Sequence, residues 1–438
     1  MLWCVVVCAR VDPGGSPPLR SDLLERACRL LADNTRTARF EGRQFVFSVP
    51  SARCYPFQWF WDSCFHAIVW ARIDVERAAD ELRALFAMQA PSGLLPHVVF
   101  WDRSRVSRIS WHYLESRGRL DWILPGRTPR TTSMIQPPVV AQAVEAVVDA
   151  GGDGFLAEAL PVLERYYRYL ARERDPDADA LISIIAQFES GLDFSPAYDA
   201  PLGNGRRSAA AVFARARLPQ LINKLVDYDL DRVFRLNRRE TEDVLVNSIY
   251  ADGLRTLGRL AARAGAAELC RWADAQARRV VERLLERCYD EVHGLFFNLE
   301  GLAERPAGRV KTVISLIPLL LADLPAGVAA RLVEHLEHPR EFGSRFPVPS
   351  VALDEPSFLP DSRLGGHRLI WRGPCSLNTN WLISLGLRRH GYDGLADTLA
   401  DRSRALVEKG GFNEFFNPIT GAPVGAERFG WATLASVL

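Results

Sequence analysis

The 438-residue sequence lacks any long apolar run. A membrane-spanning helix needs roughly 18 or more consecutive apolar residues, and no segment reaches that length. The apolar residues 2–9 are too few for a signal peptide, follow no positively charged segment and run directly into Arg10 and Asp12. We therefore predict a cytoplasmic protein that does not associate with a membrane.

Motifs for binding metals, nucleotides and nucleic acids are also missing. The eight cysteines include no Cys-x-x-Cys pair, and no phosphate loop or dinucleotide fingerprint is present. A net charge of +1 without a basic block argues against a nucleic-acid surface. His335 and His338 have no third ligand beside them, so we expect them on a solvated helix face. The sequence thus predicts no metal, no cofactor and no nucleic-acid partner.

Apolar residues recur at helical spacing along most of the chain. The pattern predicts helices at residues 23–32, 65–70, 78–88, 139–148, 156–170, 243–262, 269–285, 310–321, 328–336, 377–389, 395–407 and 431–438. Few segments alternate as strands do, no linker divides the chain, and no fixed repeat indicates a solenoid. We therefore predict one all-α domain over residues 21–438, folded as a closed double ring of helix pairs, after a disordered leader over residues 1–20.

Aromatic and polar residues concentrate in the segments between these helices. The richest are residues 55–62, 96–102, 188–198, 371–381 and 412–417. A core favours aliphatic packing, whereas a sugar pocket needs flat aromatic faces with fixed hydrogen-bonding groups. These loops therefore predict one aromatic-lined polar pocket, with a small carbohydrate as the partner molecule.

The first of these segments, Tyr-Pro-Phe-Gln-Trp-Phe-Trp-Asp at residues 55–62, places an acid after several aromatic rings at the start of a predicted helix. Asp62 could cap that helix while the rings belong to the core. It could also accept hydrogen bonds from two sugar hydroxyls while the rings cover the apolar face of the sugar. The segment alone leaves both interpretations open.

Two more acids lie in loops broken by glycine and proline. Asp193 ends the segment Glu-Ser-Gly-Leu-Asp at residues 189–193, which is either a turn or the place of a general acid with a raised pKa. Glu414 lies in Asn-Glu-Phe-Phe-Asn-Pro at residues 413–418. Its phenylalanine neighbours favour a general base, although a strand-edge glutamate facing water would show the same pattern.

Two further segments offer groups for the pocket. In Trp-Arg-Gly-Pro at residues 371–374, the Gly-Pro turn could hold Trp371 and Arg372 at a pocket rim, or the arginine could form a structural salt bridge. His97, at the end of Gly-Leu-Leu-Pro-His, could contact substrate or be a satisfied buried histidine.

Taken in order, these segments resemble glycoside hydrolase family 63 and its bacterial mannosylglycerate and glucosylglycerate hydrolase branch. The matching pieces are residues 55–62, 93–97, Gln-Pro-Pro at 136–138, 189–193, Asn-Ser-Ile-Tyr-Ala at 247–251, 371–374, Asn-Trp at 380–381 and 413–418. Because they keep the same order from about residue 50 to the end of the chain, chance resemblance is improbable.

The resemblance implies an (α/α)6 barrel and an exo-acting, inverting α-glycosidase that hydrolyses a small α-glucoside or α-mannoside. It places the general acid on Asp193 and the general base on Glu414. An inverting pair is expected to face each other across about 6.5–9.5 Å. Around the pair we expect the substrate-binding residues Tyr55, Trp59, Trp61, Asp62, His97, Gln136, Trp371, Arg372, Gly373 and Asn380.

The sequence departs from the family at three places, which leaves the aglycone open. Phe194 follows the acid where a polar Asn is usual, Ser376 stands where an aromatic residue is frequent, and residues 101–130 match poorly. A glycerate aglycone would need a cation to pair with its carboxylate, for which the sequence offers Arg103, Arg105, Arg108, Arg127 and Arg130.

Two other functions fit a toroid of this kind. A sugar isomerase or epimerase would need clustered histidines at the pocket, where His97 is the one good candidate. A carbohydrate-binding protein without activity would be expected to have lost one of the two carboxylates. A homo-oligomer is compatible with the sequence in each case.

Overall fold

The computed structural model describes residues 18–105, 111–118, 130–200, 208–236, 240–301, 304–364 and 367–438. Its α-helices are α1 (Pro18–Asp33), α2 (Phe60–Trp70), α3 (Val75–Phe86), α4 (Val140–Asp149), α5 (Asp153–Glu173), α6 (Ala209–Leu225), α7 (Leu230–Leu236), α8 (Val244–Arg263), α9 (Ala267–Arg283), α10 (Ala326–Glu337), α11 (Leu377–Arg389) and α12 (Asp393–Gly410). Two longer 3-10 helices span Val313–Leu320 and Gly430–Ser436. Shorter ones span Arg103–Arg105, Trp111–Tyr113, Gln187–Ser190 and Pro196–Tyr198, and a π turn spans Leu284–Cys288.

The strands are short and join the helices at their ends. They are β1 (Thr35–Phe40), β2 (Arg43–Ser48), β3 (Gln58–Trp59), β4 (Val98–Val99), β5 (Ser183–Ile184), β6 (Thr241–Glu242), β7 (Tyr289–Asp290), β8 (Leu295–Phe296), β9 (Leu299–Glu300), β10 (Arg305–Pro306), β11 (Arg363–Leu364), β12 (His367–Arg368), β13 (Asn413–Phe416) and β14 (Pro423–Glu427). All pairings among these strands are antiparallel, and the largest sheet has the order β10-β9-β6-β5.

Six elements close an inner ring. Contacts run from α2 to α4, α8, the 3-10 helix Val313–Leu320, α11, the 3-10 helix Gly430–Ser436 and back to α2. A second element packs outside each member, in the pairs α3 on α2, α5 on α4, α9 on α8, α10 on Val313–Leu320, α12 on α11 and α1 on Gly430–Ser436. Inner and outer elements alternate along the chain, so the predicted double ring of helix pairs is present.

Burial explains which elements form which ring. Every residue of α2 and of Val313–Leu320 is buried, as expected of an element covered on all sides. The outer helix α9 buries one stripe, which includes Leu269, Ala273 and Val280, and presents its charged residues to water. Caps set the helix starts where polar residues are available; for example, Asp74 accepts a hydrogen bond from the backbone N of Arg77 at the start of α3.

The structure corrects three predictions from the sequence. Helix α1 already begins at Pro18, so the predicted leader extends three residues too far, and residues 1–17 lie outside the described part of the chain. Helices α6 and α7 were not predicted, because α6 contains Pro219 and does not segregate its apolar residues; Leu225 is 60% exposed. The six-residue strands β1 and β2 were also missed, because the apolar residues of β1 do not alternate with its polar ones; Arg36 and Arg39 lie three positions apart.

Within the described residues, the structure contains no helix that combines the length and the apolar character needed to cross a bilayer. This finding agrees with the lack of long apolar runs in the sequence.

Candidate active site

The N-terminal ends of four inner helices meet at one end of the barrel. Gln136, which precedes α4, accepts a hydrogen bond at Oε1 from the backbone N of Trp61 in α2 at 3.0 Å. Tyr198 donates its hydroxyl to Asp243, the N-cap of α8, at 2.6 Å. Arg372, which precedes α11, forms an ion pair with the loop of residues 185–200. Because helix N-termini carry partial positive charge, this end of the barrel favours carboxylates.

Asp193 lies in the loop of residues 185–200, which we call the acid loop. Glu189 anchors this loop through a fully buried, bidentate ion pair with Arg174, with N–O distances of 2.7 and 2.8 Å. Gly191 has φ +72°, and a Cβ there would lie 2.6 Å from the ring of Trp61. The loop therefore crosses the start of α2 so closely that only glycine fits.

The environment of Asp193 suits a proton donor. The pKa of this carboxyl is raised to about 7, chiefly by burial; the Arg217 guanidinium works against the rise, and the nearby Glu115 and Glu414 add to it. A carboxyl group that titrates near neutral pH can deliver a proton to a leaving oxygen. The prediction of a raised pKa at Asp193 therefore agrees with the structure.

Glu414 occupies a contrasting environment on strand β13 and is only 2% exposed. Its Oε1 accepts a hydrogen bond from the Tyr55 hydroxyl at 2.8 Å. Its Oε2 accepts one from Arg368 at 3.0 Å and one from the backbone N of Ala426 at 2.8 Å. The strand-edge alternative is wrong, because this side chain is buried and accepts hydrogen bonds from three donors instead of facing water.

Asp62 lies in the first turn of α2 and is 2% exposed. The helix-cap interpretation is wrong, because the N-cap position is Trp59 and no side chain caps the helix. Burial raises the pKa of Asp62 well above its usual value, and the charge of Glu414 adds to the effect. Its Oδ1 has no hydrogen-bond partner within the described part of the protein. An acceptor of this kind is suited to a ligand hydroxyl.

A cavity of about 370 Å³ opens beside Asp193. The side chains around it include Tyr55, Trp59, His97, His112, Glu115, Asp193 and Arg217. The Trp59 and His97 rings meet edge to face at 4.9 Å. Burial lowers the pKa of His97 to about 4, so its ring is neutral near pH 7. Three of the predicted substrate-binding residues thus share one cavity with the proposed acid.

Trp61 and Trp371 belong to an aromatic cluster and are 2% and 1% exposed. The Trp61 ring lies 5.5 Å from the Trp431 ring, and the Trp371 ring lies 4.9 Å from that of Phe415. Phe415 directly follows Glu414 in β13. The cluster therefore connects the start of α2 with the strand that carries the proposed base.

Arg372 forms the salt bridge that the sequence offered as its alternative role. Its Nη1 lies 2.8 Å from Asp199 at the end of the acid loop, and the arginine is 4% exposed. Gly373 allows this segment to pass against Leu359, since a Cβ at the glycine would lie 2.5 Å from the Leu359 carbonyl oxygen. These contacts hold the acid loop in place through the two Nη atoms, while the Arg372 Nε has no hydrogen-bond partner among the described residues.

Two other predicted substrate contacts have backbone partners in the structure. Asn380 accepts a hydrogen bond from the backbone N of Val348 at 2.8 Å and donates to the carbonyls of Val348 and Ser376. Gln136 accepts a hydrogen bond from the backbone N of Trp61 in the first turn of α2. For Asn380 these bonds occupy both ends of the amide, which indicates a structural role.

Sequence reasoning missed three residues of the cavity. His112 lies 3.0 Å from Glu115, and Glu115 lies 3.0 Å from Arg217. The first two fall in residues 101–130, the stretch that matches the family poorly, and Arg217 lies on the unpredicted helix α6. A histidine and a glutamate three residues apart were the only local signal.

Carboxylates also gather outside this cavity. Oxygens of Asp175, Asp177 and Asp179 lie within 4.8 Å of one another, as do those of Asp179, Glu242 and Glu304. Glu242 is 4% exposed, and burial together with the neighbouring acids raises its pKa to about 9. The spacing and the oxygen ligands would suit a hard cation such as Ca²⁺. These acids lie outside the segments that the sequence predicts to carry function.

Comparison with known proteins identifies the family. Residues 55–432 match the family model described as the mannosylglycerate hydrolase MGH1-like glycoside hydrolase domain. The chain belongs to this glycoside hydrolase family. The predicted resemblance to glycoside hydrolase family 63 is thereby confirmed.

Relatives of the MGH1-like family align over nearly their whole length. The mannosylglycerate hydrolase of Thermus thermophilus is 33% identical over 436 residues, covering 93% of this chain and 98% of the relative. The glucosylglycerate hydrolase of Mycolicibacterium hassiacum is 29% identical and covers 98% of both chains. The crystal structure of a GH63 mannosylglycerate hydrolase from Thermus thermophilus, in complex with Tris and D-glycerate, superposes with a TM-score of 0.81 at 31% identity, covering 94% of this chain and 99% of that one.

These likenesses confirm the (α/α)6 barrel and show that the chain is a glycoside hydrolase. They favour hydrolysis over the isomerase and the non-catalytic alternatives. In the MGH1-like chain the barrel gathers two carboxyls, Asp193 and Glu414, that are 221 positions apart in the sequence (414 minus 193).

Proposed function

We propose that this MGH1-like enzyme is an inverting, exo-acting α-glycosidase whose substrate is a small glycosylglycerate. Asp193 protonates the leaving oxygen, and Glu414 removes a proton from the attacking water. The observation that carries the proposal is the contrast between the two carboxyls. Burial holds Asp193 in a form that titrates near neutral pH, whereas Tyr55, Arg368 and a backbone N–H donate to Glu414.

Contacts of the sugar ring follow from the groups that converge on this pair. Asp62 offers a buried acceptor oxygen, and Trp59 offers an aromatic face in the cavity. Tyr55 joins the two sides, because it contacts Glu414 directly and lies in the field of Asp193. We therefore assign the sugar to the space between these side chains.

The aglycone belongs on the side of Asp193 that faces Arg217 and His112. The Arg217 guanidinium stacks on the ring of Phe188 at 3.9 Å, which fixes its orientation. Among the five arginines considered from the sequence, Arg105 pairs with Asp102, and Arg130 lies over the Phe40 ring. Arg108 and Arg127 are outside the described residues. Arg217 also pairs with Glu115, but it lines the cavity beside Asp193, and we therefore take it as the partner of a carboxylated aglycone such as glycerate.

A matched pair of substrates tests the aglycone. Glucosylglycerate and glucosylglycerol differ only in the aglycone carboxylate, so kcat/KM for the first is expected to exceed that for the second by about 10-fold or more. The same assay should include mannosylglycerate, kojibiose and trehalose. Equal rates with the charged and the neutral aglycone would contradict the assignment of glycerate, and faster turnover of a disaccharide would replace it.

The stereochemistry of the first product tests the mechanism. An inverting enzyme holds its carboxyls about 6.5–9.5 Å apart to admit water, whereas a retaining one holds them at about 5–5.5 Å. We expect proton NMR to show the β-anomer of the sugar first, because water attacks the face opposite the α-linked leaving group. Initial release of the α-anomer would require a retaining mechanism instead.

A cytoplasmic location and a possible homo-oligomer stay part of this proposal. Among the described residues, Cys54, Cys64, Cys270, Cys288 and Cys375 are free thiols. This agrees with a reducing compartment.

A further inference from the structure

We propose that Arg368 is a positioning residue for the general base: the β11–β12 hairpin carries its guanidinium onto Glu414 and holds that carboxylate ready to accept a proton from water. The inference rests on the proposed role of Glu414. Arg368 lies outside every motif singled out in the sequence, and its effect on the reaction runs through Glu414 alone.

The geometry of the pair is direct. Arg368 Nη2 lies 3.0 Å from Glu414 Oε2. The arginine side chain is 39% exposed while the glutamate is 2% exposed, so a surface cation reaches inward to a buried anion. The backbone N of Ala426 donates to the same oxygen at 2.8 Å, and Tyr55 donates to the other oxygen. Together the three donors fix the carboxylate plane and still leave lone pairs for a water molecule.

Gly425 is the second observation that points to this pair. Its φ is +97°, and a Cβ at this position would lie 2.6 Å from Arg368 Nη2 and 2.7 Å from Glu414 Oε2. No other residue would leave room for the guanidinium and the carboxylate to meet there. The glycine in strand β14 therefore makes room for the ion pair between Arg368 and Glu414.

The hairpin is anchored to the core and to the acid loop at its base. Strand β11 pairs with β12, and Leu369 donates its backbone N–H to the Ser362 carbonyl at 2.8 Å. Four residues beyond Arg368 along the chain, Arg372 pairs with Asp199 of the acid loop. Within this short segment, Arg368 contacts Glu414 and Arg372 contacts the acid loop.

The charges that face Glu414 explain why a cation is needed. Asp62 on α2 and Asp193 on the acid loop are carboxyl groups in electrostatic contact with Glu414, and each becomes a like charge beside it when it ionises. The Tyr55 hydroxyl donates to Glu414. Arg368 supplies a cation bonded directly to its carboxylate. Without this cation the buried Glu414 carboxylate would keep the Tyr55 hydroxyl and the Ala426 backbone N–H as its donors, and both are uncharged.

Arg368→Gln tests the proposal, with Arg368→Lys as the conservative variant. We expect Arg368→Gln to lower kcat/KM by about 10- to 100-fold, since a hydrogen bond to a charged group contributes about 1.5–3 kcal/mol. The acidic limb of the pH profile should move to higher pH, because the base then loses its proton less readily. Arg368→Lys should retain the position of that limb. Both variants should remain folded, which the melting temperature checks, and a loss of stability alone would not move the acidic limb.

The matched control is Arg363→Gln, which removes an exposed arginine from the opposite strand of the same hairpin. It should leave both the rate and the pH profile as they are. An unshifted acidic limb in Arg368→Gln, together with an inactive Glu414→Gln variant, would overturn the role of Arg368 alone. Full activity of Glu414→Gln would instead overturn the proposed function, so the two failures can be told apart.

Discussion

Replacing Asp193 with asparagine, or Glu414 with glutamine, is expected to lower kcat by about 10²–10⁴-fold in each case. Each substitution keeps the shape of the side chain and removes its ability to exchange a proton. Steady-state rates on the best glycosylglycerate, with the melting temperature measured on the same samples, test the expectation. Near-normal turnover by either pure variant would remove that residue from the mechanism.

The raised pKa of Asp193 predicts how activity and stability change with pH. Asp193 must be protonated to act as the acid, so wild-type activity should fall as the pH rises through about 7, the pKa that burial gives this carboxyl. A carboxyl whose pKa is raised by folding contributes stability below its unfolded pKa, and this contribution is lost as the pH rises through the folded value. Asp193→Asn should therefore be at least as stable as the wild type above pH 7, and its residual activity should lose the alkaline limb.

Glu189 provides the matched control in the same loop. Its carboxylate is fully buried against the equally buried Arg174. Glu189→Gln leaves that guanidinium uncompensated, which costs about 3–5 kcal/mol of stability. We expect Glu189→Gln to lower the melting temperature and Asp193→Asn to lower turnover alone. This difference would distinguish the structural role of Glu189 from the proposed catalytic role of Asp193.

Asp62→Ala is the second variant with a large expected effect. If the Asp62 carboxylate accepts hydrogen bonds from sugar hydroxyls, its removal should lower kcat/KM by about 10²-fold or more, since each such bond to a charged group contributes about 1.5–3 kcal/mol. The melting temperature should hardly change, because the side chain caps no helix and one of its buried oxygens has no partner among the described residues.

Asp74→Ala is the control for this second prediction. Asp74 is the N-cap of α3 and accepts a hydrogen bond from the backbone N of Arg77. Its loss should cost about 0.5–2 kcal/mol of stability and leave turnover intact. If Asp62→Ala behaved like Asp74→Ala, with lower stability and normal kcat/KM, the sugar-binding role of Asp62 would be wrong.

The helices show how far the local pattern reaches. The predicted helix at residues 377–389 coincides with α11, and the predicted helices at residues 395–407 and 243–262 lie within or next to α12 and α8. Helix α6 escaped prediction because its apolar residues form no stripe. Periodicity detects a helix whose buried face is apolar. Helix α6 buries Gln220, Asn223 and Lys224 and leaves Leu218, Leu221 and Leu225 exposed.

In the candidate site, polar residues from similar motifs have different roles. Asp193, Glu414 and Asp62 were chosen from the sequence, and the structure gives all three carboxyls buried or electrostatically coupled positions. Arg372 and Asn380 came from the same kind of motif, yet their side chains bond to Asp199 and to the Val348 backbone. The position of a residue in a motif does not distinguish a ligand contact from a residue that stabilises the backbone, because both roles favour the same polar residue types.

The sequence by itself determined the all-α double ring, the family resemblance and the two proposed catalytic carboxyls. These signals are local, since helical periodicity and short motifs are written in neighbouring residues. Only the tertiary structure decided that Arg217 faces the acid and that Arg368 and Tyr55 hold the base. Burial and Coulomb interactions depend on distance in space. Closure of the ring therefore brings the proposed acid Asp193 and the proposed base Glu414 into electrostatic contact.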